Sequence, residues 1–69
     1  MTKGDQVKTV CAVGLTAIWR DENNIPHVDR GDYSTGAILT VVEPGPARTY
    51  CIDQFNRYVW IDTVLIERV

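Results

Sequence analysis

Residues 36–69 read GAILTVVEPGPARTYCIDQFNRYVWIDTVLIERV. Gly36–Glu43 is the clearest strand of the chain. It is almost continuously apolar, which predicts cover on both faces or a place inside a tightly curved sheet. Pro44-Gly45-Pro46 forces a turn after it. Arg48–Asp53 alternates apolar and polar, Gln54–Arg57 makes a turn, and Tyr58–Ile61 alternates again, so Arg48–Ile61 reads as a β-hairpin. Asp62-Thr63 is placed to start one tight 3₁₀ turn through the aspartate side chain. The segment Val64–Val69 then closes the chain as a last strand. No 3.6-residue apolar period persists for three turns anywhere in the sequence. The prediction is an all-β domain, a small barrel of five or six short antiparallel strands.

Working back towards the N-terminus, Gly4-Asp5 punctuates like a turn and Gln6–Val13 is rich in β-branched residues, so it reads as the first strand. Gly14 ends it or marks a bulge. Leu15–Trp19 is a short extended arm. Between this arm and Gly36 lies Arg20–Asp32, RDENNIPHVDRGD, with two adjacent asparagines, a proline and the sole histidine. The asparagines favour a turn, Pro26 holds Ile25 extended, and Gly31 supplies a second turn position. This predicts one long ordered loop. Trp19, Ile25, Val28 and Tyr33 anchor it against disorder, and a loop of this length in a compact domain is usually functional. Arg30-Gly31-Asp32 reads as part of its turns.

The 69 residues allow one domain, residues 1–69, which buries only about 60% of its unfolded surface. Oligomerisation or attachment to a larger protein is the expected support. The net charge of −2 sits in the loop: Arg20 and Arg30 stand against Asp21, Glu22, Asp29 and Asp32. Elsewhere Lys3, Lys8, Arg48, Arg57 and Arg68 balance Asp5, Glu43, Asp53, Asp62 and Glu67. No basic stripe is available for phosphates, which counts against nucleic acid and against an anionic membrane surface as partners. No apolar run reaches the roughly 20 residues of a membrane span, and the polar first ten residues are not a signal peptide. Synthesis in the cytoplasm is expected. Cys11 and Cys51 lie in apolar, β-prone contexts and are read as two buried free thiols, with a disulfide as the alternative if their strands are neighbours.

The chemistry-bearing residues form no catalytic constellation. His27 is too weakly linked to either cysteine, because both cysteines sit in apolar runs where a thiolate is not stabilised. Asp21 and Glu22 are adjacent, so in extended chain they point opposite ways and cannot act as a pair on one bond. No nucleophile elbow, zinc-binding histidine pair or phosphate-cradling glycine loop is present. No cofactor and no metal are expected. Of the six aromatic residues most should build the core, Trp60 among them. Trp19 and Tyr33 bracket the charged loop and are the candidate platform for a sugar or short peptide. Asp21, Glu22, Asn23 and Asn24 would take ligand amines, His27 would line the surface, and Phe55 and Tyr58 would help from the neighbouring turn.

The order of GDQVK, IPHVDRGD, GAILTVVE and YVWIDTVLI resembles bacterial Src-homology-3-type domains, the small barrels at the C-termini of phage endolysins and bacterial autolysins. In the amidase-linked branch an opening Gly-Asp-x-Val strand precedes a loop with an Ile-Pro-x-x-Val-x-Gly pattern. Ile25, Pro26, Val28 and Gly31 approach that pattern, with one residue rather than two between Pro26 and Val28 and two rather than one between Val28 and Gly31. Trp60, Ile61 and Leu65 approximate a closing Trp-Val-x-x-x-x-Leu stretch, with three residues rather than four before the leucine. The resemblance implies a non-catalytic module that binds peptidoglycan or wall glycopolymers and holds a lytic enzyme at the bacterial cell wall, reaching the wall after release from the host cytoplasm. If Met1 is a native start, the chain would be a separately translated fragment that assembles with the full-length endolysin. A small cytoplasmic adaptor that binds a protein or a proline-rich peptide through the same barrel is the alternative.

Overall fold

A computed structural model describes all 69 residues, Met1–Val69. It is all-β, as the sequence predicts, with seven strands rather than five or six. They are β1 (Gln6–Thr9), β2 (Val13–Arg20), β3 (Pro26–Tyr33), β4 (Ile38–Glu43), β5 (Arg48–Ile52), β6 (Tyr58–Asp62) and β7 (Ile66–Arg68). One antiparallel sheet holds them in the order β3-β2-β6-β5-β4-β1-β7. The ladder has two edges, β3 and β7. No helix is long and apolar enough to cross a membrane.

Alternation along the strands sets the core. Val7, Ala17, Leu39, Val41, Cys51, Val59, Ile61 and Ile66 join Tyr33 in one buried cluster. All these side chains lie on one face, so the single sheet encloses its core by curling around it. The β3–β4 connection is tied to β1 at one corner. There Thr9 Oγ1 donates to Ser34 O at 2.7 Å, and the Ala37 amide donates back to Thr9 Oγ1 at 3.0 Å. Each fully buried valine, leucine or isoleucine contributes about 1.5–3 kcal/mol. The outward residues of β4, Ile38, Thr40 and Val42, are only half-buried, so its outer face is less covered than its apolar run suggests. A register shift between Val41 and Glu43 makes a bulge there, and Pro44–Pro46 then turns the chain.

Several expectations need correction. The predicted loop Arg20–Asp32 is mostly a hairpin: β2 and β3 pair from Val13↔Tyr33 to Arg20↔Pro26, leaving only Asp21–Ile25 as turn. β3 is an edge strand, and its charged residues mimic a loop in sequence because edge strands are kept polar against further pairing. Gly14 and Gly31, read as chain breaks or turns, are paired strand residues, opposite Asp32 and Leu15. A Cβ at Gly31 would lie 2.8 Å from the Tyr33 hydroxyl, so the glycine is there to let the tyrosine ring cross it. The first strand stops at Thr9, and Cys11 lies exposed in the bend before β2. Both cysteines are free thiols, and only Cys51 is buried.

The aromatic residues need correction too. Only Tyr33 of the six is buried. In β6, Val59 and Ile61 point inward, and the two-residue period sends Tyr58 and Trp60 out. Trp60 is 50% exposed. The 3₁₀ turn falls at Thr63–Leu65 as predicted, but the Asp62 side chain makes no capping bond. Thr63 holds that corner instead, donating to Gly45 O at 2.7 Å and sharing a 2.8 Å hydrogen bond with Thr49.

Candidate functional site

Two turns at one end of the sheet are built alike. In Asp21–Ile25, one carboxylate oxygen of Asp21 accepts the amides of Asn23 and Ile25 at 2.9 and 3.0 Å. In Asp53–Arg57, one carboxylate oxygen of Asp53 accepts the amides of Phe55 and Arg57 at 2.8 and 2.9 Å. Each turn closes with the aspartate amide donating to the carbonyl of the residue four positions on. In each, the asparagine three positions on takes the left-handed region, Asn24 at φ 62° and Asn56 at φ 61°. Asparagine tolerates this conformation better than most residues. The sequences DENNI and DQFNR share the Asp-x-x-Asn spacing that makes this turn.

The second oxygen of each aspartate ties its turn to a neighbour. Asp21 Oδ2 lies 2.9 Å from His27 Nε2. This contact, followed by the Ile25 amide, holds the Asp21 carboxyl below the usual carboxylate range. Asp53 Oδ2 accepts the Tyr33 hydroxyl at 2.6 Å and Arg57 Nε at 2.9 Å. Burial works to raise the Asp53 pKa, but the Tyr33 hydroxyl and the Arg57 and Phe55 amides outweigh it, so the carboxyl stays depressed. Burial and the same carboxylate push the Tyr33 hydroxyl far up, so it remains a donor.

A cleft of about 580 Å³ opens between these turns, lined by Trp19, Arg20, Asp29, Phe55, Asn56 and Arg57. The Trp19 ring stacks on His27 with centroids 4.3 Å apart, and its Nε1 donates to Asp29 Oδ2 at 2.9 Å. The indole is therefore fixed by β3 on one side, while Phe55 and Arg57 stand on the turn across the cleft. The Arg57 guanidinium lies 5.4 Å from the centroid of the Phe55 ring, within cation–π range. Phe55 itself is 76% exposed. Two aromatic side chains, two guanidiniums, an amide and a carboxylate thus converge on one concavity, a mixture suited to a polar ligand with apolar faces.

Of the eight predicted site residues, Trp19 and Phe55 line this cleft. His27 braces Trp19 from behind. Asp21 spends both oxygens inside its own turn and on His27, so it shapes the site rather than offering a free carboxylate. Glu22 and Asn24 are exposed at the hairpin tip, outside the cleft lining. Tyr33 is not a platform: it is buried and holds Asp53. Tyr58 faces the opposite side of the sheet, stacked on Tyr50 at 5.5 Å. Arg20, Asp29, Asn56 and Arg57 were missed by sequence reasoning. The repeated Asp-x-x-Asn spacing was the available signal for Asn56 and Arg57, since it marks a second turn able to face the first.

Cys51 is buried, and burial alone pushes its thiol up to about 11. No family model, curated protein or solved structure matches the chain significantly.

Proposed function

We propose that this chain is a non-catalytic binding module for the bacterial cell wall, with wall glycopeptide held in the Trp19–Phe55 cleft, and that it targets a phage endolysin or autolysin to its substrate. The observation that carries the reading is convergence: two turns 32 positions apart, at Asp21 and Asp53, bring an immobilised indole and an exposed phenyl ring to the two sides of one cleft that also holds charges of both signs. Sugar rings and short peptides present apolar faces edged by polar groups, and such ligands need aromatic surface with directional polar partners. Arg57 and Arg20 suit a ligand carboxylate, and Asp29 suits an amine. The wall as the source of that ligand comes from the resemblance of GDQVK, IPHVDRGD and YVWIDTVLI to the lytic-enzyme barrels. The non-catalytic reading is supported by the engagement of His27 with Asp21 and Trp19 and by the protonated state of the buried Cys51 thiol.

Co-sedimentation of a fluorescent fusion with purified sacculi from several Gram-positive species tests this. Saturable binding to some walls, weakened about tenfold or more by Trp19→Ala and by Phe55→Ala (a loss of roughly 1.4 kcal/mol each), is the expected result. A folded protein that binds no wall, while a peptide or protein partner is captured through the same cleft, would replace this reading with the adaptor.

A further inference from the structure

The outer face of the sheet carries a ladder of exposed rings that the cleft does not use. Tyr50 lies between two neighbours on β6, with centroids 5.5 Å from Tyr58 and 4.7 Å from Trp60. Ile52 pairs with Tyr58 in the β5–β6 register, and Ile18 pairs with Tyr58 from β2. Val28 pairs with Ile18 from β3. Val28, Trp60, Ile18 and Tyr58 are 68%, 50%, 37% and 36% exposed. The fold is a single sheet, so no second layer of this chain covers them. A contiguous apolar patch rich in Tyr and Trp and edged by charges marks an association surface.

The register indicates what fits on it. Across β5 and β6, three successive rows of outward residues are Ile52↔Tyr58, Tyr50↔Trp60 and Arg48↔Asp62. A two-fold axis parallel to these strands, midway between β5 and β6, lays β5 of one copy on β6 of another without shifting the rows. Trp60 then meets Tyr50 of the second copy, Tyr58 meets Ile52, and Arg48 meets Asp62. Sheets packed face to face keep their strands within about 30°, and a two-fold interface requires a patch complementary to itself. Two-fold antiparallel pairing of β3 with itself must centre on one of its residues, and centring on Asp29 or Arg30 sets like charges opposite each other.

We propose that the chain self-associates through this outer face, as a two-fold dimer of aligned sheets with the Tyr50–Trp60 row at its centre and crossed Arg48–Asp62 pairs at one end. The cleft stays open in both copies, because Trp19 belongs to the inner face.

Sedimentation equilibrium from about 10 μM to about 1 mM, spanning the affinities a modest patch supplies, tests the proposal on the intact chain. Wild type is expected to rise towards twice its 7.8 kDa mass, with the tryptophan emission shifting as Trp60 leaves water. Arg48→Asp places two carboxylates in the last row, and Asp62→Arg places two guanidiniums there. Each variant alone should dimerise at least tenfold more weakly, and an equimolar mixture should recover the wild-type affinity, because unlike charges then face each other across the interface. Circular-dichroism melts show that each variant folds. Wild type that stays monomeric through 1 mM overturns the proposal, as does a mass that climbs past the dimer. So does a mixture no tighter than either variant alone.

Discussion

Asp53 is the most heavily used side chain of the molecule. It accepts four hydrogen bonds, from the Phe55 and Arg57 amides, Arg57 Nε and the Tyr33 hydroxyl. Asp53→Asn keeps the volume but weakens those bonds, and it should cost about 2–4 kcal/mol by urea denaturation at pH 7. The pH dependence has a definite sign. The folded-state pKa of Asp53 is depressed below its ordinary value, so its contribution is fully present above about 4, the unfolded carboxylate value. It falls away as pH drops further, through the folded-state pKa. The gap between wild type and Asp53→Asn should therefore be widest at neutral pH and narrow in acid, and a gap constant from pH 7 to about pH 2 would contradict this account. The cysteines give a second check at this scale. Cys11 is exposed and Cys51 buried, so a thiol reagent should label one cysteine in the native protein and the second only in denaturant. Reducing agent should leave the melting temperature unchanged.

At the scale of elements, the paired Asp-x-x-Asn turns decide where the site lies. Each sets a left-handed asparagine at the position where most side chains are strained by about 1–2 kcal/mol. Asn24→Val and Asn56→Val should each lower stability by roughly that amount, while the glycine variants should be near neutral. Chemical denaturation of the four variants checks it. Loss of the Asn56 turn should also weaken the proposed wall binding more than its stability cost explains, because Phe55 and Arg57 move with it. The β2–β3 hairpin depends on a different local rule. Gly31 underlies the Tyr33 ring, so even an alanine there would push the tyrosine off Asp53.

The whole molecule stands on a small core. Nine residues form it, and a chain of this size has a total stability of only about 3–10 kcal/mol. Ile61→Ala or Leu39→Ala, each at a fully buried aliphatic, should cost about 2–5 kcal/mol, enough to leave a large unfolded fraction at 37 °C by calorimetry. Trp60→Ala, despite the larger side chain, should cost much less in the monomer because the ring is half exposed. If Trp60→Ala proved as damaging as Ile61→Ala at concentrations where the protein is monomeric, the assignment of the two faces would be wrong. Association through the outer face would add stability by mass action and present two clefts at once, which raises avidity for a repetitive surface without new contacts.

Alternation, turn residues and the lack of a helical period are local properties, and they made the all-β class, the Arg48–Ile61 hairpin, the Pro44–Pro46 turn and the 3₁₀ corner readable directly from the residues. The same local rules pointed to Trp19 and Phe55, which the fold brings to one cleft. What they could not show was which side of each strand faces inward and which segments pair. β3 looks like a loop because an edge strand has one partner and keeps its charges, and its identity emerges only when β2 lies beside it. Tyr33 and Trp60 exchanged their expected places for one reason: strand parity is set by the neighbours of the whole sheet, Val59 and Ile61 among them, rather than by the hydrophobicity of any single ring. The cleft, the buried Tyr33–Asp53–Arg57 contact and the outer ladder of rings are products of that long-range pairing, which only the tertiary structure decides.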